Sequence, residues 1–127
     1  LKLSARICDG WIPLAWKIPA EHYRTSVKKL QAFRAQYGRE GEFVKATMAG
    51  IIIPDNLELP QDYVDPTSGY PISRYMSAGG PLSNQTKIIE QYRNAGCEYY
   101  VPLAFYPPKS ALDQLRSFND TIVQSFI

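Results

Sequence analysis

Between Pro19 and Tyr37 the apolar residues Tyr23, Val27, Leu30, Phe33 and Tyr37 fall at steps of 4, 3, 3 and 4, which draws one stripe along a helix. Arg24, Lys28, Gln31 and Arg34 lie mostly off that stripe, and their charges are expected on a solvated face. Pro19 suits the first helical position, where its missing N–H costs nothing. Glu21 complements the positive end of the helix dipole, and Gly38 is the stop signal. From Phe43 to Ile53 the pattern changes: apolar residues occupy both alternating sets, which predicts a strand covered on both faces. Gly50 within it suggests a bulge or a close backbone approach. A second helix is expected to open at Gly79-Gly80-Pro81 and run to Ala95, burying Ile88, Ile89, Tyr92 and Ala95, with Gly96 ending it. A closing helix begins at the capping-box variant Ser110 to Asp113 and sets Leu112, Leu115, Phe118, Ile122 and Phe126 on one side. Leu3 and Ile7, four apart, predict a helix tail over Leu1 to Cys8, so that the chain looks cut from something longer.

The remaining strands are predicted by an internal echo. Cys8-Asp9-Gly10-Trp11-Ile12-Pro13-Leu14-Ala15-Trp16 is matched by Cys97-Glu98-Tyr99-Tyr100-Val101-Pro102-Leu103-Ala104-Phe105. Cys, Pro, Leu and Ala coincide, an acid stands for an acid, and aromatic and β-branched residues exchange within type. A repeated segment of this kind can define an architecture. Each copy leads through an acid into an aromatic and β-branched run, as a short buried strand does, and a helical pattern follows. Strand and helix in alternation are the grammar of a parallel sheet with right-handed crossovers. The two copies are expected side by side, pointing the same way. Pro102 cannot donate to a ladder, so it marks a strand end or a bulge. The stretch from about 55 to 80 carries the turn signals Pro60, Asp65-Pro66, Ser68-Gly69 and Tyr70-Pro71. A loop this long is usually a lid, a binding loop or a mobile segment; Arg74, Tyr63, Tyr70 and Tyr75 in it could line a ligand or simply pin the loop down.

A chain of 127 residues, 45% hydrophobic and 20% charged, holds one domain, residues 1–127, with a core of ordinary size. Net charge is only +2 and the basic residues are scattered, which argues against a nucleic-acid partner. No apolar run has the length of a membrane span and no signal-peptide pattern opens the chain, so a cytoplasmic location is expected. Cys8 and Cys97 read as packed free thiols, because a disulfide framework or a metal site needs more ligands. His22 reads as a surface residue.

In a parallel sheet with crossover helices, ligands bind beyond the carboxyl ends of the strands. Three loops are expected there: Pro13 to Ile18, Pro54 to Gly80, and Tyr106 to Lys109. Trp11, Trp16 and Tyr106 are the candidate rings for a planar cofactor, with rim packing as the competing role. Gly79 and Gly80 at a helix start are the one arrangement suited to an anion, since backbone N–H groups and the dipole converge there; the same residues also make a plain turn. No nucleophile–base–orienter set and no paired carboxylates stand out.

Ala5-Arg6-Ile7-Cys8-Asp9-Gly10-Trp11-Ile12-Pro13 resembles the A-R-x-x-D-G-W segment of the bacterial luciferase-like monooxygenases and their deazaflavin-dependent relatives. Gly80-Pro81 leading to Tyr92-Arg93-Asn94-Ala95-Gly96-Cys97-Glu98 is similar to that family's G-x-P … Y-x-x-A-G-x-(D/E) segment, and the final strand and helix also match. The resemblance implies a partial (β/α)8 TIM barrel, about three parallel strands forming the last third of a barrel that needs about 250 residues. It implies FMN or a deazaflavin coenzyme at the mouth and a small organic substrate for monooxygenation or hydride transfer. The earlier strands, which in that family carry most of the catalytic residues, have no counterpart in this chain. Function is then expected through self-association or completion by the rest of the barrel. Two other functions fit the residues: an α/β module that acts by association without a cofactor, and a barrel piece that binds a phosphate ligand through Gly79-Gly80.

Overall fold

A computed structural model of the chain describes residues 1–53, 64, 69, 71, 80–103 and 111–127. In chain order the elements are α1 (Lys2–Ile7), β1 (Gly10–Trp11), α2 (Ala20–Gln36), β2 (Val44–Ile53), β3 (Gly80–Pro81), α3 (Leu82–Asn94), β4 (Tyr99–Leu103) and α4 (Ala111–Thr121), closed by a 3-10 turn at Val123–Ser125. The protein is mixed α/β, and its sheet is open and all-parallel. Of the expected long loop, an isolated antiparallel bridge between Val64 and Pro71 is described; Arg74 and the three tyrosines there lie outside the described residues.

The two echoed segments do lie in one sheet and run the same way, but they are not neighbours. β2 separates them, and its backbone explains how. Successive residues of a strand turn their N–H and C=O groups to opposite edges. Val44 and Met48 bond to Asp9, Pro13 and Ala15 on the β1 edge, whereas the Lys45 carbonyl accepts from Glu98 on the β4 edge. The first copy places Trp11 opposite Lys45, and the second places Tyr100 opposite Thr47. Equivalent residues are thus displaced two positions along β2. Beyond Met48 the β4 register slips, so that Leu103 faces Ile51. Pro102 and Gly50 meet at this irregularity: the strand that cannot donate at residue 102 is matched by one extra residue in its partner.

Two sequence expectations about β strands are corrected. Gly80 and Pro81 do not begin a helix; they form a two-residue strand beside Ile52 and Ile53, and α3 starts one residue later. And over residues 44–49 the second face of β2 is covered only in part. The helix-side residues Thr47 and Ala49 are fully buried; on the other side the small Ala46 is buried, but Val44 is 45% exposed. Ile12, Tyr99 and Val101, which by alternation share that side, are 50%, 60% and 37% exposed. The helices supply one layer, and among the described residues no second layer covers the other face.

The core sits between the sheet and α2 and α3: Ala15, Tyr23, Val27, Ala49, Tyr92 and Ala95, with Trp11, Ile88, Cys97 and Tyr100 packed against them. Both helices end in the same way. After α2, Arg39 N–H bonds to the Arg34 carbonyl and Gly38 N–H to Ala35; after α3, Cys97 N–H bonds to Tyr92 and Gly96 N–H to Arg93. These paired bonds form the Schellman motif, and they need a left-handed residue at Gly38 (φ 64) and Gly96 (φ 91). The helix stripes differ from the sequence pattern. On α2, Arg34 is buried and Tyr37 is 42% exposed. On α4, Gln114, Phe118 and Ile122 face inward while Leu112 and Leu115 are exposed. On α1, Ala5 is buried and Leu3 and Ile7 are exposed.

Candidate functional site

The carboxyl ends of the strands are where a parallel sheet of this kind holds a ligand, and α3 organises the part of that end which is described. From its last turn the Tyr92 ring reaches the loop after β1. Its hydroxyl lies 2.9 Å from the Ile18 carbonyl and 3.2 Å from the Ala15 carbonyl, sharing one proton between them. Within that loop the N–H groups of Lys17 and Ile18 turn back onto Leu14, so Trp16 sits on a tight, anchored turn, half-buried against the core. At the other end of α3, Gly80 pairs with Ile52, which sets the start of the helix, and the positive end of its dipole, beyond the end of β2. Trp16 and Gly80 therefore both lie at the carboxyl-end side. Trp11 lies earlier on its strand and stacks on Tyr23 of α2, with centroids 5.2 Å apart and planes 23° apart; its place is between sheet and helix. Gly79 and Tyr106 lie outside the described residues.

A second group, not foreseen as a unit, occupies the core itself. Tyr23 and Tyr92 meet edge to face at 5.7 Å, and Tyr92 and Tyr100 lie 6.1 Å apart. Cys97, fixed by the turn after α3, contacts the Tyr23 hydroxyl and places its thiol 3.3 Å from the Tyr99 carbonyl. Burial raises the thiol's pKa, partly offset by the Tyr23 contact and by backbone hydrogen bonds at Tyr99 and Thr47. Burial likewise pushes Tyr92 up to about 12, helped by the nearby thiol, and raises Tyr23 and Tyr100. Each phenol has an acceptor: Ala46 carbonyl for Tyr23 at 3.1 Å, and Gln85 Oε1 for Tyr100 at 3.3 Å. The set is therefore neutral, protonated and satisfied at physiological pH. It can hold the sheet to its helices; it is not arranged to abstract a proton or attack a substrate. The expectation of packed free thiols holds for both cysteines in that neither is paired, and each is half-buried.

The amino ends of the strands carry the charges. Glu98 accepts from the Lys45 backbone N–H at 3.1 Å and pairs with its ammonium, and this partner lowers its pKa. Asp9, its counterpart in the first copy, pairs with Arg39 at 2.7 Å. Arg34, expected in solvent, is only 5% exposed. Its guanidinium donates to the Cys8 and Glu42 carbonyls, each at 3.4 Å, and lies 4.6 Å over the Phe43 ring. It thereby ties three segments together. A hollow of about 940 Å³, walled by Arg34, Phe43, Lys45, Glu98 and Tyr99, opens at this end. Lys45 and Arg39 are already paired there and acids match the cations, so the hollow has the character of a structural tie rather than a ligand site. His22 is exposed, as expected.

Among the described residues no group of three or more ligand-type side chains could hold a metal, and no helix is long and apolar enough to cross a membrane. No family model, no curated protein and no solved structure matches the chain.

Proposed function

We propose that the chain forms the carboxyl-terminal part of a luciferase-like, flavin-dependent oxidoreductase, acting on a small organic substrate once its sheet is completed to a (β/α)8 barrel. One observation carries the reading: the two-residue displacement between Trp11 opposite Lys45 and Tyr100 opposite Thr47. An eight-stranded barrel of shear eight slips about one residue per strand. Two strands on, the slip is two. A flat stack of equivalent parallel strands would show none.

The uncovered sheet face supports the same reading. Ile12, Val44, Tyr99 and Val101 are apolar where a barrel packs its interior, and among the described residues β1 and β4 each pair as strands only with β2, which leaves an edge for a further strand. Leu3 and Ile7 on α1, and Leu112 and Leu115 on α4, expose further apolar surface on helices at both ends of the chain order, where neighbouring units of a cylinder would pack. Completion by the other βα units would bury all of these.

The residues at the carboxyl-end side fit a flavin in part. The N-terminal N–H groups of α3, from Leu82 onward, present partial positive charge beyond Gly80 and suit its phosphate. Trp16 lies at the same end, on a loop held rigid by Tyr92, and could bound a planar ring system. Trp11 does not fit, because its ring already stacks on Tyr23. A bound FMN or deazaflavin would supply the hydride or oxygen chemistry; this chain's contribution is to bind, orient and exclude water. The exposed face also favours a second reading, a cofactor-free module that works by association.

Flavin fluorescence separates the two. The chain alone should quench FMN or a deazaflavin weakly or not at all, and joining it to the first five βα units of a luciferase-like enzyme should restore quenching. Tight stoichiometric binding by the isolated chain contradicts the need for completion. A joined protein that melts as one cooperative unit yet quenches neither flavin contradicts the oxidoreductase assignment.

A further inference from the structure

We draw no further inference here: the strongest candidate, the cavity of about 430 Å³ between α3, β4 and the C-terminal turn, walled by Ile89, Tyr92, Tyr100 and Phe126 with Cys97 at its edge, rests on a lone cysteine with no second observation pointing to a ligand.

Discussion

Replacing Tyr92 with Phe removes one oxygen from a ring that is only 3% exposed, and the consequence can be worked out. The ring keeps its packing against Tyr23 and Tyr100, so the hydrophobic contribution is unchanged. What is lost is the hydroxyl that serves the Ala15 and Ile18 carbonyls. The Ala15 carbonyl keeps a bond from the Ile18 N–H at 3.2 Å, so its loss is partial; the Ile18 carbonyl loses the shorter of the two. A net hydrogen bond is worth about 1 kcal/mol, and stranding the half-buried Ile18 carbonyl adds at most about 1 kcal/mol, for a total of up to about 2 kcal/mol. With a urea m-value of roughly 2 kcal/mol/M for a chain of this size, the midpoint should fall by up to about 1 M with the slope unchanged. The damage should be local as well as global. Amide exchange at Lys17 and Ile18 should speed up more than at β2, because the loop loses its anchor while the strand does not. A midpoint within about 0.2 M of the parent, or equal acceleration in loop and strand, would refute the claim that α3 fixes this loop.

Three further outcomes are expected. Gly96→Ala forces a Cβ into a φ of 91° and should cost about 1–2 kcal/mol by denaturant melt; a neutral result would mean the turn before Cys97 relaxes freely. Lys45 holds the Glu98 pKa below its usual 4.5, so the pair's stabilisation is present above that value and is lost as pH falls through the lower folded-state value. Glu98 is 45% exposed, which limits the effect to less than about 1 kcal/mol; a Lys45→Met variant whose acid limb matches the parent's would remove the pair from the account. Val101→Lys on the exposed face should change the unfolding free energy by no more than about 0.5 kcal/mol while lowering dye binding and concentration-dependent association. A large loss of stability there would show that the face is covered after all.

Much of the fold was legible because its signals are local. The α2 period, the Gly38 and Gly96 stops and the apolar run of β2 each depend on residues close in sequence, and the structure keeps them. Pro102 and Gly50 were readable as separate irregularities; that they meet across the β2–β4 ladder was not, since register is a long-range property. The echo identified two strands of one parallel sheet, yet placed them side by side because repeats carry no information about what pairs between them. Arg34 lies four residues after Leu30, on the buried side of α2, and its position was the better guide than its charge: two carbonyls and the Phe43 ring make burial tolerable. Val44 was assigned to a covered face because composition reports an apolar side chain, not whether a second layer is there to meet it. Of the candidate site, Trp16 and Gly80 were placed at the correct end by strand polarity alone. Trp11 shares their aromatic or turn character but points to the helices, a matter of strand parity that the short first strand left open. The Tyr23–Tyr92–Tyr100–Cys97 cluster was missed as a unit, although Tyr92, Ala95, Gly96 and Cys97 carried the signal: a buried ring, a left-handed stop and a thiol delivered back onto that ring.

In the fold, β2 runs between the two echoed segments with a two-residue slip. Nuclear Overhauser contacts between backbone protons test it directly. Contacts are expected from Asp9 and Pro13 to Val44 and Met48 on one edge, from Glu98 and Tyr100 to Lys45 and Thr47 on the other, and none between Trp11 and Tyr100 backbones. Direct Trp11–Tyr100 backbone contacts, or the close cross-strand Hα–Hα pairs of an antiparallel ladder, would contradict it.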